Sequence, residues 1–504
     1  MHVILIAVPI LDYRHGQLAP IAQDETKNCP PYGIYLLTSV LRARGHEVTL
    51  VDLIAEGRRE IDTFKHLLPS AGLVGIGATS MSWPTAVDVI SQIRDVCQVV
   101  PIVLGGIHPT MFDHYLLTHF DVDYVVRGEG EESLPALCEA LERSDGLDRV
   151  PNLSWKDNAG KVIRNPSGPK IKADNLADFP MPAYDELPDQ VYKGVAIESS
   201  RGCAFDCSFC STSYRKSWRG IPPESFVNRL ERVAEYIPRT TYKSLHIIDD
   251  EFSMNPQRAI DIARTLRKRG LKPGLVYDSR ANDLLFPGYV EEIAEFTHQF
   301  LVGAECGYDE GLKLVGKGTT CGKLEGAAAM LERFGISNRA DFSFILGLPW
   351  EGRAEVQRTI DFAMHLTGEY GVRILLQWYC QIPGSRLWED ARQRFEVTEA
   401  MYDDYGFFRD LHLWHTAITI SPSDAWDIVD MIQQLQCISH LTHAGRAMIE
   451  SAVPAALARY FPQAILPTNG VHADGLMNLR EVSRPAADRT IKIGVPQRHT
   501  FAKE

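Results

Sequence analysis

The chain has 504 residues, of which 45% are hydrophobic and 23% are charged, and this length predicts roughly two to four domains with substantial cores. Its formal net charge of −13 disfavours a nucleic acid partner, because phosphate groups are neutralised by clustered Lys and Arg. No apolar run reaches the about 18 residues that a membrane helix requires, so we expect no membrane partner either.

Apolar strands alternate with amphipathic helices through residues 1–149. The predicted strands are residues 1–8, 48–52, 73–77, 101–106 and 122–126, and the first predicted helix is residues 33–41. This alternation predicts a parallel, doubly wound sheet of Rossmann-like type, whose ligands bind beyond the carboxyl ends of the strands. Neither a G-x-G-x-x-G nor a G-x4-G-K-[ST] motif follows the first strand, which argues against a dinucleotide or a nucleoside triphosphate.

A polar segment, residues 150–190, separates this α/β pattern from the next one. It is rich in Pro, Gly, Asn and Lys, most densely at residues 165–169. Such a composition predicts a linker or a small hairpin that crosses to a second domain. We place that second domain at residues 191–385 and a third region at residues 386–504.

Three cysteines follow the predicted strand at residues 195–197, in the spacing C-x3-C-x2-C: Cys203, Cys207 and Cys210. Three thiolates can hold three irons of a [4Fe-4S] cluster and leave the fourth iron open, since such clusters normally have four cysteine ligands. Zinc is less well supported because no second Cys or His pair follows. A disulfide needs an oxidising compartment, and no secretory segment precedes the first strand, so we expect a cytoplasmic protein.

Five further apolar segments follow the cysteine loop, and most end in polar or turn residues. They are residues 244–252, 275–282, 300–307, 341–351 and 373–380. Helical stretches such as residues 258–266 lie between them, so six strands predict repeated βα units of a partial (β/α)6 barrel. In barrels of this kind the functional residues lie at the carboxyl ends of the strands.

The cysteine loop, with Phe209 before its last cysteine, resembles the cluster loop of the radical S-adenosylmethionine (SAM) superfamily, and the later segments resemble its strands in order. The resemblance implies that Cys203, Cys207 and Cys210 hold a [4Fe-4S] cluster. SAM would bind the open iron and be cleaved reductively to a 5'-deoxyadenosyl radical, with electrons from a flavodoxin- or ferredoxin-type donor. The implied SAM-binding residues are Phe209, Asp249, Asp250, Glu251, Arg280, Glu305, Gly347 and Pro349.

The amino-terminal domain resembles the cobalamin-binding module of one radical SAM subfamily, through residues 30–34, 77–82, 105–110 and 127–131. The resemblance implies cobalamin contacts for Ser80, Ser82, Gly105 and Gly106, since glycines let a flat corrin approach the backbone closely. The motif D-x-H-x-x-G that supplies an axial histidine is absent, because residues 12–16 have the wrong spacing. His15 and His108 are interpreted as loop polar residues, and a domain that has lost its corrin remains the alternative.

The third region, residues 386–504, is predicted to be mainly helical, with a clear helix at residues 425–435 and an irregular tail after residue 464. Its aromatic residues are interpreted as core, with some expected to line the substrate pocket. They are Tyr402, Tyr405, Phe407, Phe408 and Trp414, with His415 beside them.

These observations predict a radical SAM enzyme that abstracts hydrogen from an unactivated carbon of a small metabolite. The first reading is cobalamin-dependent C-methylation in specialised-metabolite or antibiotic biosynthesis. The alternative is dehydration, deoxygenation, cyclisation or rearrangement of a sugar or other polyol without methyl transfer. A non-catalytic iron-sulfur or corrin carrier is a third reading, disfavoured by the ordered motifs at the strand ends.

Overall fold

The computed structural model describes residues 1–14, 17–20, 28–212, 214–395 and 397–405. Its strands are β1 (His2–Ala7), β2 (Leu11–Arg14), β3 (Gln17–Pro20), β4 (Glu47–Asp52), β5 (Leu73–Gly77), β6 (Ile102–Gly105), β7 (Tyr124–Val126), β8 (Leu153–Lys156), β9 (Val162–Arg164), β10 (Gly194–Ile197), β11 (Ser200–Arg201), β12 (Arg219–Gly220), β13 (Ser244–Ile247), β14 (Leu275–Ser279), β15 (Thr297–Glu305), β16 (Ala340–Leu346) and β17 (Arg373–Trp378). Its helices are α1 (Tyr32–Ala43), α2 (Leu53–Glu56), α3 (Trp83–Val96), α4 (Ile107–His119), α5 (Gly130–Arg143), α6 (Ala173–Asp178), α7 (Pro223–Ala234), α8 (Pro256–Lys268), α9 (Ala281–Leu284), α10 (Tyr289–Ile293), α11 (Asp309–Val315), α12 (Cys321–Arg333), α13 (Arg353–Tyr370) and α14 (Arg386–Phe395).

The first sheet has the strand order β4-β1-β5-β6-β7-β8-β9. Its first five strands are parallel, as predicted, and their apolar side chains are buried because helices cover both faces. Counting these parallel strands alone, the order is that of flavodoxin-like doubly wound folds. The chain reverses its winding direction at β1, so the carboxyl ends of β1 and β5 mark the place where this fold binds ligands.

A hairpin extends the first sheet beyond its parallel strands. Strands β8 and β9 pair antiparallel with each other, and β8 pairs antiparallel with β7. The start of the polar segment 150–190 therefore forms sheet edge, and the crossing to the second sheet begins after Arg164. The sequence patterns did not reveal another hairpin, β2–β3, which pairs Leu11 with Pro20.

The second sheet contains six parallel strands in chain order, β10-β13-β14-β15-β16-β17, with helices between successive strands. This is the predicted partial (β/α)6 barrel. Because all six strands run in one direction, their carboxyl ends meet at one mouth, where the cysteine loop and the predicted polar residues lie.

After β17 the chain returns to the first sheet. Trp388 of α14 and Tyr402 are buried in the same apolar core as Trp83 of α3 and Phe112 of α4. The predictions for His15, Phe407, Phe408, Trp414, His415 and the helix at residues 425–435 lie outside the described residues. Within the part of the chain that the structure describes, no helix is long and apolar enough to cross a membrane.

Candidate active site

The cysteine loop begins where β10 ends. Short strands β11 and β12 pair antiparallel and close the loop at its base. Gly202 has a φ of +85°, and a Cβ there would lie 2.9 Å from the carbonyl oxygen of Tyr214, so this turn requires glycine. Two backbone bonds shape the loop: Cys203 N donates to Tyr214 O (3.3 Å) and Cys210 N donates to Cys207 O (3.2 Å).

The three thiols of this loop are unoxidised and lie in a partly buried setting. Cys207 is buried, whereas Cys203 and Cys210 are half-buried. Desolvation raises the pKa of Cys203 to about 11 and also raises the pKa of Cys210. A nearby positive charge, such as a bound metal, is therefore needed to stabilise the thiolate forms. Within the described residues, no three Cys, His, Asp or Glu side chains converge on a single metal ion. Thiolates that bind separate irons of a cluster need no such convergence, so the donor set fits a [4Fe-4S] cluster.

The acidic residues after β13 occupy different environments. Asp249 accepts four hydrogen bonds, from the backbone N–H and hydroxyl groups of Ser199 and Ser200, at 2.5 to 2.9 Å. These bonds tie the end of β13 to the end of β10. Because a carboxylate has about four acceptor positions, the four bonds occupy the acceptor capacity of Asp249 and do not support its predicted contact with SAM. Asp250 is exposed and lines a cavity beyond the carboxyl ends of the first sheet. Burial raises the pKa of Glu251 to about 8.

Arg280, directly after β14, packs against the cysteine loop. Its guanidinium lies 3.6 Å from the centre of the Phe205 ring, and its Nη1 is 4.0 Å from Cys207 Sγ. Its other terminal nitrogen donates to the carbonyl oxygen of Lys317. Arg280 therefore joins the cluster loop, through its cation–π contact with Phe205, to the chain after α11, through its hydrogen bond to Lys317. Phe209, predicted to contact SAM, is half-buried in the same loop.

Glu305, at the end of β15, forms a buried ion pair that the sequence patterns did not reveal. Its Oε1 lies 2.6 Å from Lys317 Nζ, and both side chains are at most 10% exposed. Burial opposes the charge of Lys317, but the Glu305 carboxylate holds the lysine pKa above its ordinary value. The φ of Glu305 is +64°, a strained conformation for a residue other than glycine, and such strain tends to occur at functional sites.

The turn after β16 is held by a buried carboxylate. Glu351 Oε2 accepts from the backbone N–H groups of Gly347 (2.8 Å) and Leu348 (3.0 Å), and Oε1 accepts from the Tyr308 hydroxyl (2.8 Å). Gly347 has a φ of +80°. The turn that contains Gly347 and Pro349 is thus fixed at the barrel mouth, where the resemblance places SAM.

A cavity of about 640 Å³ lies beyond the carboxyl ends of the first sheet. Gly105, Gly106 and Ser82 line it, whereas Ser80 does not and instead places its Oγ 3.0 Å from His108 Nδ1. A Cβ on Gly105 would meet nothing closer than a carbonyl oxygen at 3.9 Å, so the backbone there is open to a ligand. The cavity thus has the position and the glycine-lined wall that a corrin requires.

The same cavity is lined by residues of the barrel. Ser200, Thr212, Tyr214, Ile248 and Asp250 face it from the cysteine loop and the end of β13. The space beyond the first sheet is therefore continuous with the barrel mouth.

Arg201, two residues before Cys203, joins the two sheets. It pairs with Glu129 (3.0 Å) and Glu131 (2.7 Å) of the first domain and with Glu198 (2.8 Å) of the barrel. All four side chains are at most 15% exposed. The base of the cluster loop is thereby anchored to the wall of the cavity.

Comparison with known proteins agrees with this geometry. Residues 197–363 match the Radical SAM superfamily model, and residues 24–138 match the B12 binding domain model. An uncharacterised methyltransferase of Pyrococcus horikoshii is 34% identical over 72% of this chain and 78% of its own length. The chain belongs to the radical SAM superfamily, in its cobalamin-binding subfamily. This radical SAM chain is also 28% identical to the hopanoid C-3 methylase of Methylococcus capsulatus, over 61% of the chain and 59% of that protein.

Solved structures share the fold of this radical SAM chain. The cobalamin-dependent radical enzyme OxsB with aqua-cobalamin and SAM bound aligns with a TM-score of 0.67 at 17% identity, over 95% of this chain and 78% of that one. The radical SAM methyltransferase TsrM from Kitasatospora setae aligns with a TM-score of 0.61 at 20% identity, over 78% of this chain and 76% of that one. The protein is therefore a radical SAM enzyme whose cofactors are a [4Fe-4S] cluster, SAM and cobalamin.

Proposed function

We propose that this enzyme is a cobalamin-dependent C-methyltransferase that acts on a small metabolite in specialised-metabolite or antibiotic biosynthesis. The observation that carries the proposal is the shared cavity, since the glycine-lined ends of the first sheet and the barrel mouth border the same space. A methyl carrier bound against Gly105 would face a substrate held in the barrel, so the methyl group would not have to cross bulk solvent. Several relatives bear methyltransferase names, including a cytidylyl-2-hydroxyethylphosphonate methyltransferase of Streptomyces wedmorensis.

Each part of the chain has a definable task in this proposal. When bound, the cluster, SAM and cobalamin supply one-electron cleavage of SAM and a transferable methyl group. Cys203, Cys207 and Cys210 would hold the cluster, and Arg280 supports their loop. The buried Glu305–Lys317 pair and the turn held by Glu351 present fixed groups to SAM at the strand ends. Arg201 holds the base of the loop against the cavity wall through its ion pairs with Glu129 and Glu131.

The setting of the reaction also belongs to the proposal. We expect a flavodoxin- or ferredoxin-type protein to supply electrons, and we place the enzyme in the cytoplasm. The cysteines of the described residues are all free, which suits a reducing compartment.

The test is a product analysis after anaerobic loading with iron, sulfide and hydroxocobalamin. With SAM, dithionite and candidate substrates, C-methylation predicts retained cobalamin and formation of both 5'-deoxyadenosine and S-adenosylhomocysteine. Cys207→Ala should abolish both products while Cys97→Ala, a buried cysteine of the first domain, should not. SAM cleavage to 5'-deoxyadenosine without S-adenosylhomocysteine would overturn methyl transfer.

The relatives also give a reason to keep a second reaction class. They include a 4'-phospho-dehydrooxetanocin synthase of Priestia megaterium and magnesium-protoporphyrin monomethyl ester cyclases, whose names specify no methyl transfer. The second candidate is therefore cyclisation or rearrangement of the substrate. The same product analysis separates the two, because S-adenosylhomocysteine forms only when a methyl group is transferred.

A further inference from the structure

Strand β14 presents an aspartate to the inside of the barrel. The buried ring of Tyr277 packs against Phe252, just before α8, and against Phe300 of β15, with ring centroids 5.0 and 5.3 Å away. Tyr277 thus faces the helices. Side chains alternate along a strand, so the next residue, Asp278, points into the barrel. The Asp278 side chain is exposed even so, and an exposed side chain on the inner face of a barrel borders an internal space.

The carboxylate of Asp278 has no hydrogen-bond or ion-pair partner among the described residues. Lys317, whose charge acts on it, is already paired with Glu305 at 2.6 Å. Desolvation by the surrounding protein raises the pKa of Asp278 to about 6; the charge of Lys317 opposes this rise, and the charges of Asp249 and Asp250 add to it. The group is therefore still ionised at neutral pH. An ionised carboxylate inside a protein is stabilised by a bound cation.

Two apolar side chains flank Asp278 on the inner face of the barrel. Leu301 of β15 pairs with Asp278 in the register of the sheet and is half-buried. On the other side, His246 of β13 pairs with Val276, so Ile248, two residues further along, lies beside Asp278. Ile248 is 40% exposed and also lines the cavity beyond the first sheet. A molecule packed on these two side chains would therefore lie between Asp278 and the cavity that we assign to cobalamin.

We propose that the substrate is an amine with an apolar body, whose protonated nitrogen binds Asp278 while the apolar part packs on Ile248 and Leu301. The inference rests on the proposed function, since it names the substrate class for that site. A hydrogen bond between an ammonium group and a carboxylate is stronger than one from a neutral hydroxyl, so the site prefers an amine to an alcohol of the same size. Asp278 lies two residues before Arg280, which contacts the cysteine loop, so the bound amine lies near that loop.

The experiment measures binding of matched probes to the loaded enzyme by equilibrium dialysis, with SAM present and no reductant. The probes are hexylamine and phenethylamine, each compared with the alcohol and the carboxylate of the same skeleton. We expect the wild type to bind at least one amine about tenfold more tightly than its alcohol and to exclude both carboxylates. Asp278→Asn should lose this preference, whereas Asp278→Glu should keep it. The control is Asp145→Asn, at a 79% exposed carboxylate of the first domain, which should bind the probes like the wild type.

Three results would overturn the amine assignment. The first is a wild type that binds neither amine, or binds amines and alcohols equally, and the second is an undiminished preference in Asp278→Asn. Because SAM itself carries an amine, SAM binding is measured as well, and its loss in Asp278→Asn would place Asp278 in the SAM site instead. Since the probes bind without turnover, a failure of methyl transfer leaves this result interpretable, and a failure of amine selectivity leaves methyl transfer intact.

Discussion

Two neighbouring glycines at the end of β6 have different roles. Gly106 has a φ of +97°, and a Cβ there would lie 2.6 Å from the carbonyl oxygen of Ala78, so the fold itself requires this glycine. Gly105 has open space on the side where its Cβ would be. Gly106 is therefore required by the fold, whereas Gly105 leaves room for a ligand.

Replacing Gly105 should therefore separate cofactor binding from folding. We expect Gly105→Leu to fold with nearly wild-type thermal stability but to retain at least tenfold less cobalamin, because the side chain enters the cavity. Cobalamin per chain is measured by absorbance after desalting. Gly322→Leu in α12, where a Cβ would meet nothing within 4 Å, is the control and should retain wild-type amounts. Full retention by Gly105→Leu would refute the assignment of the cavity.

The buried pair of Glu305 and Lys317 gives a second prediction for single residues. Removing one partner of a buried ion pair leaves an uncompensated charge, so Lys317→Met should lower the free energy of unfolding by about 3–5 kcal/mol. Adding Glu305→Gln should recover part of that loss, which urea unfolding of both single variants and the double variant would reveal. Lys65→Met breaks an exposed pair with Asp62 and should leave the free energy of unfolding nearly unchanged. Additive losses would show that the two side chains are not coupled.

At the scale of elements, the parallel strands could be predicted because each is an apolar run covered on both faces. The partners of the strand-end residues could not. Asp249 stands in the sequence beside Asp250 and Glu251, yet only the folded chain shows that two serines saturate it. Lys317 lies outside the predicted strand segments, and its pairing with Glu305 depends on how the chain after α11 returns to the barrel mouth.

The turn after β16 should respond to pH through Glu351. Burial raises the pKa of Glu351 from its ordinary value of 4.5 to about 7, so the folded chain favours the protonated acid. The stability that this group adds is fully present below pH about 4.5 and is lost as the pH rises through 7. The melting temperature of the wild type should therefore fall relative to that of Glu351→Gln as the pH rises through that interval.

Glu310 supplies a control of opposite sign. Its pKa is lowered by a hydrogen bond to its own backbone and by Arg358, so the stability that ionised Glu310 adds is present above pH about 4.5 and is lost as the pH falls below it. The gap in melting temperature between wild type and Glu310→Gln should therefore stay constant above pH about 4.5 and narrow below it. Melting temperatures of the three proteins from pH 4 to about 8 would test both expectations. A constant gap between wild type and Glu351→Gln over this range would contradict the role of Glu351.

At the scale of the whole molecule, the first domain and the barrel are joined at several places. One is α1, whose Tyr32, Leu36 and Val40 pack with Ala196 of β10. Near the cavity, Arg201 links the cluster loop to Glu129 and Glu131 of the first domain. On another side of the first sheet, the chain after β17 packs on α3 and α4, where Asp403 accepts from Trp83 Nε1 at 2.8 Å and from the Tyr115 hydroxyl at 2.6 Å. Links at separate places restrict both translation and rotation of one domain against the other.

The link formed by the segment after β17 can be weakened without touching the cavity. Trp388 is 2% exposed within the core of the first sheet, and Trp388→Ala should cost about 3–5 kcal/mol through the space it leaves. Because that side chain belongs to the segment that follows the barrel, we expect the single thermal transition to split into two as the domains unfold separately. Calorimetry measures the split, and Val99→Ala, at an 88% exposed site, should leave one transition. If Trp388→Ala lowers the melting temperature but unfolding stays a single transition, the returning segment stabilises only the first domain, and the remaining links at Arg201 and α1 suffice to keep the two domains cooperative.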